Sequence, residues 1–162
     1  MNKQLRANHF DTIQIDNCGE FKKQVFQWAS HFETICYFDN NEYSGYNYNS
    51  FEGLIAVGEE SSILKDRGDS FSAFEKLKDF WDQKKDWLFG FLSYDLKNEV
   101  ESLDSNNFDG LAFPEMHFFQ PTYVIEVFKK EVKIHTKTIS SREIFEQIKQ
   151  SKSVQSRKQS KS

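Results

Sequence analysis

Thr122-Tyr123-Val124-Ile125-Glu126-Val127-Phe128, followed by Lys129-Lys130 and then Glu131-Val132-Lys133-Ile134-His135-Thr136, is the stretch on which the fold turns. Two runs rich in β-branched residues flank a short polar pair, the pattern of a β-hairpin. A hairpin makes its strands antiparallel, so the rest of the chain is read around an antiparallel sheet.

Working outward, Ser140 with Glu143 three residues on is a capping-box pattern that opens a last helix fading into the chain end. Upstream, Trp87-Leu88-Phe89-Gly90-Phe91-Leu92-Ser93-Tyr94 is apolar, short and broken by a glycine. It reads as a buried strand with a close backbone approach at Gly90. Phe71, Phe74, Leu77 and Trp81 recur helically, predicting a helix over Asp69 to Lys84 with Ser72 and Glu75 as its capping pair. Gly53-Leu54-Ile55-Ala56-Val57-Gly58 has the pattern of a central strand, and Thr34-Ile35-Cys36-Tyr37-Phe38 that of a buried one. Phe21, Val25, Trp28, Ala29 and Phe32 share one helical face, so a helix is expected from Glu20 to Phe32 with Lys22 and Lys23 off that face. Asp11 to Asp16 alternates as a half-buried strand. The class is therefore α+β (mixed α/β), with a largely antiparallel sheet and two to three packed helices.

Composition bounds the function. The chain has 162 residues, 38% hydrophobic and 28% charged, with 17 Phe, 6 Tyr and 3 Trp. Rings must fill its core, and so many phenylalanines exceed what one small core hides, which predicts exposed aromatic surface. No apolar run approaches the roughly 18 residues of a membrane span, and the first residues lack a signal core, so a cytoplasmic location is expected. Cys18 and Cys36 lack metal-ligand spacing and read as reduced thiols. The net charge of −4 hides an asymmetry: Lys149, Lys152, Arg157, Lys158 and Lys161 leave residues 1–148 at a net of −9. An acidic body repels phosphate backbones, so nucleic acid is excluded as a partner and residues 149–162 read as a basic polar tail or linker. Residues 1–148 read as one domain.

No nucleophile elbow, phosphate loop, zinc-protease motif or dinucleotide fingerprint is present. His9, His31, His117 and His135 lie far apart and do not stand at ligand spacing. Two constellations remain. Tyr94-Asp95-Leu96-Lys97-Asn98-Glu99-Val100-Glu101 gathers three carboxylates that could do acid–base or metal work, though sequence physics favours a helix start with Asp95 as N-cap. The aromatic and polar loop carrying Tyr46, Tyr48, Asn49 and Phe51 leads into an apolar strand and suits a small-ligand pocket, or simply covers a sheet edge.

Trp87 to Leu96, with Glu101-Ser102-Leu103 and then Phe108-Asp109-Gly110-Leu111-Ala112-Phe113-Pro114-Glu115-Met116, resembles the N-terminal domain of the chorismate-using synthases, anthranilate synthase component I and aminodeoxychorismate synthase component I. The matching positions are Gly90, Tyr94, Asp95, Pro114 and Met116, with Ser93 where the family more often has glycine. Cys36 to Asp39 and Tyr48-Asn49-Ser50-Phe51 are similar to a second family segment, and the similarity runs from about Phe21 to Thr138. Compact spacing and the absence of a Leu-Leu-Glu-Ser signature favour the aminodeoxychorismate (para-aminobenzoate) branch over the anthranilate branch.

The resemblance implies a non-catalytic domain. In the family the chorismate site, its Mg²⁺ and its catalytic groups belong to a C-terminal domain, so no catalytic residue and no metal ligand is carried over here. The implied partners are that chorismate-binding domain and a glutamine amidotransferase subunit. The resemblance also implies a tryptophan-type pocket walled by Asp39, Asn40, Tyr48, Asn49 and Phe51. With Asn49 and Asp39-Asn40 standing where the family has serines, weak or absent tryptophan affinity is expected. A stand-alone module binding an amino acid is the alternative from a different class.

Overall fold

The computed structural model describes residues 9–41, 43, 45, 51–97, 99, 113–137 and 139–151. Tyr48, Asn49, Glu101 to Ala112 and most of the basic tail lie outside the described residues. Among the described residues eight strands form two antiparallel sheets, where the sequence suggested one, and three α-helices accompany them. The chain divides into two compact units, one holding Glu59–Thr122 and the other holding Asn8–Gly58 with Tyr123–Ser162.

The discontinuous unit contains β1 (His9–Gln14), α1 (Cys18–Ala29), β2 (Ile35–Asp39), β3 (Gly53–Val57), β7 (Tyr123–Val127), β8 (Glu131–Thr136) and α3 (Ser141–Gln150). Its sheet runs β1-β8-β7-β3-β2, antiparallel throughout. The β7–β8 hairpin forms as read, with Val127 opposite Val132 and Ile125 opposite Ile134. Alternation puts Val132 and Ile134 on one face with Ile55, Val57, Ile125 and Val127, and all six are buried.

Helix α1 starts where Asn17 accepts the Glu20 N–H at 3.1 Å. Its Phe21, Val25, Trp28 and Ala29 then turn into the core. The capping box predicted at Ser140 is present: Ser140 Oγ accepts the Glu143 N–H at 3.1 Å and Glu143 accepts the Ser140 N–H at 3.0 Å. Helices α1 and α3 meet through stacked Phe21 and Phe145 rings 5.4 Å apart and a Trp28 Nε1 to Gln147 Oε1 hydrogen bond of 3.4 Å. Each large aliphatic side chain fully buried here contributes about 1.5–3 kcal/mol, and the core cluster holds Val25, Ile144 and Ile148 besides the strand residues.

Strand β2 departs from expectation. Among the described residues it is the last strand of its sheet, bonded to β3 alone, and Ile35 and Phe38 are exposed rather than buried. A β-branched and aromatic run serves an edge as well as a centre, and composition does not distinguish them.

The Glu59–Thr122 unit contains β4 (Ser61–Lys65), α2 (Ala73–Lys84), β5 (Phe89–Leu92), a one-turn 3₁₀ helix (Tyr94–Leu96) and β6 (Met116–Gln120), with strand order β4-β6-β5. Helix α2 begins four residues later than Asp69, because Ser72 is its N-cap and Asp69 instead accepts the Asp66 N–H in a turn at 3.0 Å. Ala73, Leu96 and Met116 make the buried centre, packed by Ile63, Phe71, Leu77 and Phe118. The predicted close approach at Gly90 is real: a Cβ there would lie 2.0 Å from the His117 carbonyl oxygen.

Candidate functional site

Of the residues the sequence assigned to an aromatic pocket, Asp39, Asn40 and Phe51 are described, and they lie at the end of the five-stranded sheet where β2 finishes and β3 begins. Asp39 closes β2 opposite Gly53, two residues after Phe51. Asn40 makes the turn that follows, its Oδ1 accepting the Tyr43 N–H at 2.6 Å. Asn41 at φ 53° takes the left-handed conformation asparagine tolerates. Phe51 is exposed and stands edge-on to Phe128, 6.4 Å between centroids, while Lys133 Nζ lies 4.9 Å from the Phe128 ring centre. Asp39, Asn40 and Phe51 thus share one end of one hairpin, and Tyr48 and Asn49 are the pocket residues that lie outside the described set.

Lys22 reaches this place from α1, although the sequence reading left it among the off-face lysines. Its ammonium sits 3.1 and 3.0 Å from the two Asp39 carboxylate oxygens and 3.3 Å from the Glu52 carbonyl. The Tyr37 hydroxyl also donates to Asp39, and the Asn41 N–H does so at 2.7 Å. Gly53 was the available signal: a glycine at a strand start beside a helix leaves room for a neighbour's side chain. A Cβ on Gly53 would stand 3.1 Å from Lys22 Cδ.

These contacts set the electrostatics. The Tyr37 hydroxyl above all holds Asp39 down from 3.8 to about 2; burial, the next largest effect, pushes the other way and is outweighed with the help of the Asn41 N–H and the Lys22 ammonium. Burial, then Asp39, push the Tyr37 phenol up, so it stays protonated and donating. A depressed carboxylate stabilises the fold above its unfolded value, and that contribution disappears as pH falls through the folded one. The stability gap between wild-type chain and Asp39→Asn is therefore expected to be widest above about pH 4 and to close toward pH 2 in urea titrations. A gap independent of pH would contradict this ordering of contacts.

In the constellation from Tyr94 to Glu101, Asp95 and Glu99 are described and take structural positions, while Glu101 lies outside the described residues. Ser93, not Asp95, is the N-cap of the Tyr94–Leu96 turn, and Asp95 lies exposed inside it, which corrects the capping assignment. Both oxygens of Glu99 accept the Ala73 N–H, at 2.9 and 3.2 Å, so this acid serves the start of α2. Lys65, with 7% of its side chain exposed, lies 2.5 Å from Glu115 and 4.0 Å from Glu99. Glu99 is thus spent on an ammonium and a helix start, a donor set that does not suit a divalent cation. Among the described residues no group of three or more His, Cys, Asp and Glu could hold a metal ion.

The motif positions converge around this cluster. Leu92 pairs with Met116, Phe91 with His117 and Gly90 with Phe118. The Ser93 N–H donates to the Glu115 carbonyl at 2.8 Å, and the Glu115 N–H to the Lys65 carbonyl at 2.8 Å. Met116 is fully buried, Pro114 half-buried, and Tyr94 projects with its ring under Lys97 Nζ at 4.2 Å. Ser93 Oγ is buried without a hydrogen-bond partner among the described residues. An orphaned buried hydroxyl costs about 1–3 kcal/mol, so Ser93→Ala is expected to raise stability by about 1 kcal/mol in urea denaturation; a loss would show that the hydroxyl is satisfied in solution.

Among the described residues the other histidines and the cysteines stand apart from one another. His135 Nε2 lies 2.6 Å from Glu126 Oε1, His117 Nε2 4.0 Å from Glu59, and His31 Nδ1 3.0 Å from the Trp28 carbonyl. Cys18 and Cys36 are free, and burial pushes the Cys36 thiol up, away from the reactive thiolate. No described helix is long and apolar enough to cross a membrane. No protein-family model matches the chain, and a search of curated proteins finds no match either.

Proposed function

We propose that this chain is the non-catalytic N-terminal domain of an aminodeoxychorismate synthase component I, acting in para-aminobenzoate and folate precursor synthesis. The observation that carries the reading is the pairing of the motif's two ends. Gly90 to Leu92 and Met116 to Phe118 are distant in sequence and adjacent in the sheet, with Ser93 and Glu115 bonded across the gap. A motif split in this way is explained when its residues build one local structure, here the junction of β5, the Tyr94 turn and β6.

In this reading the domain supplies scaffold rather than chemistry. Chorismate, Mg²⁺ and the groups that replace a hydroxyl by an amino group belong to a chorismate-binding half, and ammonia comes from a glutamine amidotransferase partner in the cytoplasm. The aromatic side chains exposed on the described residues, Phe74, Trp81, Tyr94 and Phe113 among them, support a chain that meets another protein surface. Incubating purified chain with chorismate, Mg²⁺ and ammonia is expected to give neither aminodeoxychorismate nor anthranilate by chromatography. Formation of either product would overturn the reading.

A further inference from the structure

We propose that the Asp39 carboxylate and the Glu52 carbonyl form a recognition site for a primary ammonium group, filled in the resting chain by Lys22, which thereby closes it to free amines. The inference stands apart from the synthase reading, because it rests only on the geometry at the β2–β3 end.

A primary ammonium carries three N–H donors and no acceptor, and its complete recognition needs three oxygens. Lys22 finds three, two from Asp39 and one from Glu52, at 3.0 to 3.3 Å. An exposed ion pair needs none of the supporting features seen here. Tyr37 and Asn41 orient the carboxylate from their own side, leaving it aimed at the ammonium. Gly53 omits the side chain that would crowd the Lys22 stem. The Lys22 side chain is 16% exposed and Asp39 28%, so the pair is sheltered but open to water at one side.

Attachment to α1 gives Lys22 a high effective concentration at these oxygens, and a dilute free amine does not displace it. Without the lysine, the same oxygens remain as an uncompensated anionic cradle with a stem-shaped gap beside Gly53. A short alkylammonium matches both features. A quaternary ammonium has the charge and lacks all three donors.

The test is thermal unfolding of Lys22→Ala in about 0.1 M n-butylammonium chloride against the same concentration of tetramethylammonium chloride. The expected result is a Tm about 2–4 °C higher in butylammonium for Lys22→Ala, with no such difference for wild-type chain or for Lys22→Ala combined with Asp39→Asn. Should Lys22→Ala not fold, Lys22→Met keeps the stem and is tested with methylammonium, where the same dependence on Asp39 is expected. Equal Tm in the two salts, or a butylammonium effect that survives loss of the Asp39 carboxylate, would overturn the proposal. Product formation from chorismate plays no part in this readout, so its failure leaves the synthase reading to its own test.

Discussion

A Gly90→Ala chain is expected to lose the three-stranded sheet. The added Cβ would lie 2.0 Å from the His117 carbonyl oxygen, 2.6 Å from Phe118 Cα and 2.8 Å from the His117 carbonyl carbon. All three are backbone atoms of the paired strand, so no side-chain rotation relieves the clash and β5 must separate from β6. Overpacking in a well-formed core costs about 1–3 kcal/mol when side chains can yield, and a backbone collision belongs at or above the top of that range. Native-state hydrogen exchange is the measurement: amides of β5 and β6 should lose protection while those of the β7–β8 hairpin keep it. Undiminished protection across Phe89–Leu92 would contradict the close approach.

Ile134→Ala should be the most damaging truncation in the five-stranded sheet, at about 2–5 kcal/mol. Ile134 is fully buried, lies between Asp11 of β1 and Ile125 of β7, and belongs to the cluster with Val25, Ile144 and Ile148. Ser141 Oγ donates to its carbonyl at 2.8 Å and accepts the Asp11 N–H at 3.2 Å, so α3 is fixed against this strand and leaves little freedom to collapse into a cavity. Ile35→Ala on the exposed edge strand is the control, expected within about 1 kcal/mol of wild type. Comparable losses at both positions in urea denaturation would mean that the sheet centre is misassigned.

Fold elements were legible where local signals were complete. The β7–β8 hairpin shows β-branched runs on both sides of a polar pair, and the Ser140–Glu143 box announces α3 by itself. Strands β4 and β6 went unread because polar partners bury them. Lys65 ends β4 with its ammonium against Glu115, and Gln120 ends β6 with Nε2 on Asp86 at 2.9 Å and Oε1 accepting from Ser61 at 3.2 Å. A hydrophobic pattern does not register a strand whose buried positions include a lysine and a glutamine. The passage from one expected sheet to two follows from these same missed strands.

The candidate site was legible in part for a related reason. Asp39, Asn40 and Phe51 stand close in sequence to a predicted strand end, and the structure gathers them there. Lys22 belongs to another element, and its role comes from a contact between α1 and the sheet that helical periodicity assigns to solvent. Asp95, a cap in one of the two readings offered for that segment, falls inside the turn, two residues past Ser93, which occupies the N-cap position without a side-chain capping bond. Glu99 has a real capping role, toward a helix that precedes it in the chain, and spacing rules that look forward from an acid do not find it.

Complementation is the most direct measurement of whether this chain is the scaffold half of a chorismate-aminating enzyme. The chain is mixed with a separately produced chorismate-binding half of an aminodeoxychorismate synthase, in Mg²⁺ and ammonia, and product is followed against each half alone. The predicted result is product from the mixture at a rate well above the chorismate-binding half by itself, and none from this chain by itself. Product from this chain alone, or a chorismate-binding half equally active with and without it, would contradict the account.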